Sequence, residues 1–264
     1  MPTMFIFGLG YAANHIARAL SAKGWEVIST GAAGSLAFDD AASVRLGLAD
    51  ATHILSSVPP MSDGDPVLEI YGPDIARNSG AWRGYLSSTG VYGDAGGAWV
   101  DEAAPIKGRR ANRNEADAAW LDLGARVFRL PGIYGPGRSA LDRVAEGRAH
   151  RIDLPDQVFS RIHVDDITSG VLAGLNGPAG AYNLSDDLPC HQNCIIDAAC
   201  AILGEPPPPL QTMDEADLSP MARAFYAENR RVANGKAKRL LGWTPRHPTY
   251  REGLTACHAM RQLG

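Results

Sequence analysis

The first thirty residues constrain this chain most. Met4 to Phe7 (MFIF) is a short apolar run that stops at glycine, as a strand buried on both faces does. From Ala12 to Lys23 the apolar side chains Ile16, Ala19 and Leu20 recur at helical spacing, and Gly24 supplies a stop. Trp25 to Ser29 (WEVIS) reads as a second strand. Strand, helix and strand in such short succession imply a parallel sheet with helices on its faces.

The alternation continues. Strands are expected at His53 to Val58 and Gly84 to Ser88, with a helix over Pro66 to Ser79 between them. A helix over Ala111 to Leu123 leads into a strand at Ala125 to Leu130. Beyond Pro131 the pattern loosens into a turn at Gly135-Pro136-Gly137, a helix over Ala140 to Gly147 and a short extended piece at Ile162 to Val164. A helix capped by Asp165 or Asp166 then runs to Leu175. Tyr182 to Leu184 reads as a further strand and Cys190 to Leu203 as a helix. Four prolines at 206–209 form a stiff connector, followed by helices at Ser219 to Tyr226 and Gly235 to Leu241.

The sequence Gly8-Leu9-Gly10-Tyr11-Ala12-Ala13 has the form GxGxxA and stands directly between the first strand and helix. The first glycine permits a tight turn and the second lets backbone approach a pyrophosphate. The small third residue lets helix and strand pack closely. The helix N-terminus adds free N–H donors and partial positive charge. These features point to a nicotinamide dinucleotide. The acidic residue that would hold the ribose 2′-hydroxyl is absent from Ser29-Thr30-Gly31, and no arginine stands there for a 2′-phosphate. Thr30, Ser35 and backbone amides are the groups left for that phosphate, so we lean to NADP, with NAD as the alternative. Asp39 and Asp40 lie further along and read as a solvated turn.

Composition excludes other classes. The 264 residues carry a net charge of −4, with acids and bases interspersed rather than striped, which gives nucleic acid no basic face. No apolar run is long enough for a membrane span. The N-terminus lacks a basic leader region, so a cytoplasmic address is expected and the cysteines read as reduced thiols. Cys190, Cys194 and Cys200 stand near His191, but no CxxC pair is present. Cys194 and Cys200 fall in an apolar helical pattern, so a metal site is not expected.

Four segments resemble the short-chain dehydrogenase/reductase superfamily in its extended branch of NAD-dependent epimerases and dehydratases. They are GLGYAA at 8–13, SSTGVYG at 87–93, RLPGIYGPG at 129–137 and RIHVDDI at 161–167, and the ending RRVANGKAKRLLGWTP at 230–245 is similar to that branch's C-terminal segment. The resemblance implies an α/β fold: a Rossmann-type doubly wound parallel sheet with a smaller, mostly helical C-terminal lobe. Residues 1–132 would form the dinucleotide core, with 158–185 returning to it, and 133–157 and 186–264 the substrate-side lobe. The loop at 58–68 and the stretch LSPMARAFYAEN mark an atypical member.

The resemblance also assigns roles. Ser88 or Thr89 would polarise the reacting oxygen of the substrate. Ser57, Val58, Pro131 and Ile133 would join residues 8–13 and Thr30 around the cofactor. The family's tyrosine, with a lysine four residues on to lower its pKa, is missing. A back-count along the helix puts Arg109 and Arg113 in those places, and arginine stays protonated and cannot shuttle a proton. Tyr92 is the nearest replacement phenol. Tyr134 would shape the nicotinamide pocket, while Arg109, Arg113, Arg138 and Arg161 are the candidates for an anionic substrate group. His163 would anchor the loop between the lobes. Two functions stay open: an oxidoreductase-like or epimerase-like enzyme on a small polar or sugar-derived substrate, or a non-catalytic NAD(P)-binding redox sensor. A homodimer is open as an alternative to a single chain.

Overall fold

In the computed structural model, which describes residues 1–262, six parallel strands form the central sheet. They are β1 (Thr3–Phe7), β2 (Glu26–Ser29), β3 (His53–Ser56), β4 (Trp82–Ser88), β5 (Arg126–Leu130) and β6 (Gly180–Asn183), in the spatial order β6–β5–β4–β3–β1–β2. The chain steps outward from β1 to β2 and then crosses to β3 on the other side of β1. The winding therefore reverses between β1 and β3, and ligands of open parallel sheets bind at the carboxyl ends of strands beside such a reversal.

The sheet is covered on both faces because β1 is apolar on both. Met4 and Ile6 pack with Ile16, Leu20, Phe128 and Tyr182, beneath α1 (Tyr11–Ser21) and α6 (Val164–Gly174). Phe5 and Phe7 pack oppositely with Val44, Leu48, Tyr71, Ile75 and Trp120, from α2 (Ala41–Asp50), α3 (Pro66–Arg77) and α4 (Ala111–Asp122). The period of two along a strand sorts one apolar run into two cores. A third cluster, including Leu141, Ile196, Tyr250 and Leu254, joins α5 (Ala140–Ala145), α7 (Gln192–Leu203) and α10 (Tyr250–Gln262) into a lobe over the carboxyl ends of the strands. Two shorter helices, α8 (Pro220–Phe225) and α9 (Gly235–Leu241), lie between α7 and α10 in sequence. Short parallel pairs stitch this lobe down, with Gly132–Tyr134 on Arg161–His163 and Trp99–Val100 on Arg231–Val232. Leu263 and Gly264, the last two residues of the expected lobe, lie outside the described residues.

Three local expectations are refined or corrected. Asp39 and Asp40 are exposed as expected, with Asp39 in a turn, but Asp40 also caps α2, its carboxylate accepting the Ser43 N–H at 3.2 Å. That helix escaped the sequence pattern because its apolar stripe is thin and Leu46 faces solvent. Neither Asp165 nor Asp166 caps α6. The imidazole of His163 does, its Nδ1 accepting the Asp165 N–H at 3.2 Å. Asp166 is fully buried and instead accepts the backbone N–H groups of Arg246 and His247, tying α6 to the C-terminal segment. Finally, Cys194 is exposed on α7, whereas Cys200 and Cys257 are buried. No helix among the described residues is long and apolar enough to cross a membrane.

Candidate functional site

Gly8 leaves β1 with φ at +79°, a conformation in which a side chain is strained, and a Cβ there would lie 2.9 Å from Val58 Cγ2. The loop is braced from beneath. The Gly8 N–H donates to Thr30 Oγ1 at 3.2 Å, the Leu9 N–H to the Thr30 carbonyl at 3.0 Å, and the Ser57 hydroxyl to the Gly8 carbonyl. Thr30 is thus buried as a brace, which corrects its expected place at a cofactor phosphate. The Ser35 hydroxyl is likewise engaged by the backbone of Ser29.

Gly10 differs. It precedes α1 with φ at −79°, no side chain caps the helix, and nothing lies within 4 Å of where a Cβ would stand. This open backbone at a helix N-terminus is a cradle that a side chain would fill, so the residues present fit a pyrophosphate. Ala13 packs into the core beside Ile16, as the small third position requires. Tyr11 reaches the opposite loop, donating from its hydroxyl to the Pro136 carbonyl at 3.0 Å, while Arg138 lies over its ring at 5.6 Å.

A cleft of about 1360 Å³ extends from this loop to the lobe. That exceeds the ~300–1,000 Å³ of a pocket for one small ligand, which leaves room for a cofactor and a substrate together. Gly10–Ala13, Ser57, Ser88, Arg113, Pro131, Ile133, Tyr134, Arg138 and Arg161 all line it. So do Gln192, Leu218, Tyr226, Tyr250 and Leu254, which the sequence did not flag. These come from the lobe, and no spacing in the chain links them to the sheet edge.

The expected catalytic residues separate. The Ser88 hydroxyl accepts the Gly90 N–H at 3.1 Å, beginning a short 3₁₀ turn at Thr89–Tyr92, and Ser88 borders the cleft. Thr89 is buried and lines not this cleft but a neighbouring cavity of about 230 Å³. Tyr92 lies outside both cavities and is 2% exposed. Its hydroxyl donates to Asn183 Oδ1 at 2.7 Å and accepts from Arg129 at 3.1 Å, and burial pushes its pKa up. Its expected role as the replacement phenol is corrected: it joins the turn after β4 to β5 and β6.

The arginines separate too. Arg109 is exposed, paired with Glu228 at 2.9 Å and bound to the Ala224 carbonyl, and it does not line the cleft, which corrects its expected substrate role. Arg161 is buried and donates to the carbonyls of Phe159 and Cys190 and to Gln192 Oε1. It organises the cleft floor. Arg138 is exposed. Tyr134 borders the cleft, but its hydroxyl sits against Gly253, where a Cβ would be only 2.0 Å away, and burial raises its pKa. Nearby Asp186 is buried, which pushes its carboxyl up to about 8 against the pull of Arg161.

Behind the cleft, His163, Asp165 and His247 each place one ligand-type atom within 4.8 Å of the others. His163 Nδ1 is already occupied by the Asp165 N–H, while His247 Nε2 stands 3.6 Å from Asp165. The His163 imidazole is held neutral by burial, its pKa lowered to about 4. The cluster joins α6 to the C-terminal segment. His247 was not flagged by the sequence, because 84 residues separate it from His163.

No protein-family model matches the chain. A functionally unknown conserved protein of Silicibacter pomeroyi is 41% identical, covers 98% of this chain and 99% of its own, and superposes with a TM-score of 0.88. The 3-diazoavenalumate denitrifying reductase of a Streptomyces species is 33% identical over 148 residues. That match spans 52% of this chain and about half, 48%, of the reductase. The dTDP-glucose 4,6-dehydratase of Bacillus anthracis, in complex with NAD, has a TM-score of 0.78 at 14% identity, covering 100% and 97% of the two chains. The human epimerase family protein SDR39U1, with NADPH, has 0.75 at 15%, covering 97% and 99%. The fold implied by the sequence motifs is thus matched across the whole chain.

Proposed function

We propose an NAD(P)-dependent activity for this chain, which belongs to one family with the conserved Silicibacter pomeroyi protein and carries the short-chain dehydrogenase/reductase fold. The activity is that of an oxidoreductase or epimerase/dehydratase acting on a small polar or sugar-derived substrate. One observation carries this reading: the cleft is continuous from the open backbone at Gly10 to the lobe. The NAD-bound dehydratase, the NADPH-bound human protein and the denitrifying reductase support it by analogy.

Residues 8–13 and Ser57 would hold the dinucleotide, with its pyrophosphate at Gly10, and Pro131 and Ile133 would wall the nicotinamide. When bound, the nicotinamide supplies or accepts a hydride. Ser88 would orient the reacting oxygen of the substrate. No tyrosine–lysine pair stands at the start of α4, so proton transfer would not follow the family's phenol route. The absence of a carboxylate from Ser29-Thr30-Gly31 favours NADP over NAD. Residues 1–132 with 158–185 would be the dinucleotide core, and 133–157 with 186–264 the substrate-side lobe. A cytoplasmic setting belongs to this reading, and light scattering would decide between a homodimer and a single chain.

Titration calorimetry with NAD, NADH, NADP and NADPH tests the reading, and selective binding of one pair is expected. Binding of none would overturn it. The burial of Tyr92 and the outward pairing of Arg109 favour a second reading, a dinucleotide-binding sensor without turnover. Tight binding with no consumption of reduced cofactor across a carbonyl and nucleotide-sugar panel would select it.

A further inference from the structure

Among the described residues, nine of the chain's 21 arginines face a carboxylate. Arg45 and Arg77 pair with Asp74, Arg129 with Asp117, Arg148 with Glu146, Arg151 with Asp197 and Arg230 with Glu228. Arg113 does not. Among the described residues no carboxylate lies within 4 Å of its guanidinium, and its side chain makes no hydrogen bond. It is half-buried on the first turn of α4 and lines the cleft. Its charge is opposed by desolvation and by Arg110 and favoured by the Tyr85 phenol, with no carboxylate to offset either effect.

Its position sets the kind of anion. A dinucleotide crossing the sheet at Gly10 places one nucleoside over β2 and the other over β3 and β4. Arg113 belongs to the second side, since α4 packs on β4 and β5, away from the β2 edge where a 2′-phosphate would lie. Leu86 and Pro59 line the same cleft with Ser87 and Ser88, beside the Pro131 and Ile133 wall assigned to the nicotinamide. Of the acids that line the cleft, Asp142 is engaged by Ser139 and Arg261 and Glu146 by Arg148, while Asp217 is exposed on the segment before α8. Arg138, exposed and stacked on Tyr11, is already solvated.

We propose that Arg113 binds the carboxylate of the substrate, so that this chain acts on small organic acids with an apolar body. The proposal rests on the dinucleotide reading for its orientation of the cleft. A half-buried guanidinium gains most from an anion that it can grip with two parallel N–H bonds, whereas Arg138 and Arg143, which also line the cleft without a carboxylate partner among the described residues, are exposed to water. Arginine in place of lysine keeps that charge at every accessible pH.

The test is calorimetric titration of the purified protein, alone and saturated with whichever dinucleotide binds, against benzoate, benzamide and inorganic phosphate. Benzoate is expected to bind at least about tenfold tighter than benzamide, the usual return from one charge-assisted contact. Arg113→Gln should abolish that preference and Arg113→Lys should keep part of it. Arg77→Gln, exposed on α3, should leave it unchanged. Thermal melts of each variant establish that it is folded. Equal binding of benzoate and benzamide, a benzoate preference that survives in Arg113→Gln, or tighter binding of phosphate would each overturn the proposal. The dinucleotide titrations are read separately, so loss of cofactor binding and loss of carboxylate binding are distinct failures.

Discussion

Gly8 holds a positive φ with Val58 pressed against it, whereas Gly10 has an ordinary backbone beside open space. A methyl group at either place therefore has opposite consequences. Gly8→Ala is expected to cost about 1–3 kcal/mol of stability through backbone strain. Gly10→Ala replaces a tolerated N-cap residue and should cost at most about 1 kcal/mol, yet weaken dinucleotide binding at least about tenfold by filling the cradle. Urea unfolding and cofactor titration on both variants check the pair. If Gly10→Ala bound every dinucleotide as the parent does, the cradle would lie elsewhere.

At the scale of elements, a buried polar network holds α4 against the sheet. Arg129 on β5 grips Asp117 on α4 at 2.6 and 3.1 Å, and the Ser87 hydroxyl on β4 donates to the same carboxylate at 2.6 Å. Arg129 also donates to Tyr92, which donates to Asn183 on β6. Both members of the ion pair are nearly inaccessible, so removing one charge strands the other. Asp117→Asn should cost about 3–5 kcal/mol in urea unfolding. Tyr92→Phe strands the buried Asn183 Oδ1 and an Arg129 N–H at near-constant volume and should cost about 1–3 kcal/mol while leaving dinucleotide affinity unchanged. A tenfold loss of affinity with full stability would return Tyr92 to the site.

For the whole molecule, the junction of α6 with the C-terminal segment makes stability depend on pH. His163 is faced by His247, Asp165, His15, Arg246 and Cys257, and burial lowers its pKa to about 4. Between that value and the ordinary histidine value near 6.5, the unfolded chain binds the proton and the folded chain does not. Stability is therefore greatest above about pH 6.5 and falls toward pH 4, by up to about 3 kcal/mol from this residue. His163→Asn keeps a side chain able to cap α6 and removes the titration. The difference in unfolding free energy between parent and variant should narrow from pH 7 to pH 4.5. A constant difference would show that His163 does not titrate on unfolding.

The repeating units of the sheet and the glycine loop were legible because each is local. A run of four apolar residues, a glycine and a helical stripe fall within one turn of chain, and Gly8, Gly10 and Ala13 act through neighbours a few residues away. Helix α2 was less legible, since its cap Asp40 and thin stripe give little pattern. The site divides in the same way. Ser88, Pro131 and Ile133 follow strand ends and were found from them, whereas Tyr226, Gln192 and Tyr250 come from the lobe by folding alone. By itself the sequence determined that α/β units alternate, that an open backbone begins α1, and that tyrosine and lysine are absent from the start of α4. Only the tertiary structure decided which arginine faces the cleft. Arg109 and Arg113 are four residues apart, the first just before α4 and the second on its first turn, yet one meets Glu228 and the other meets no carboxylate among the described residues, because charge pairing depends on residues 115 or more positions away.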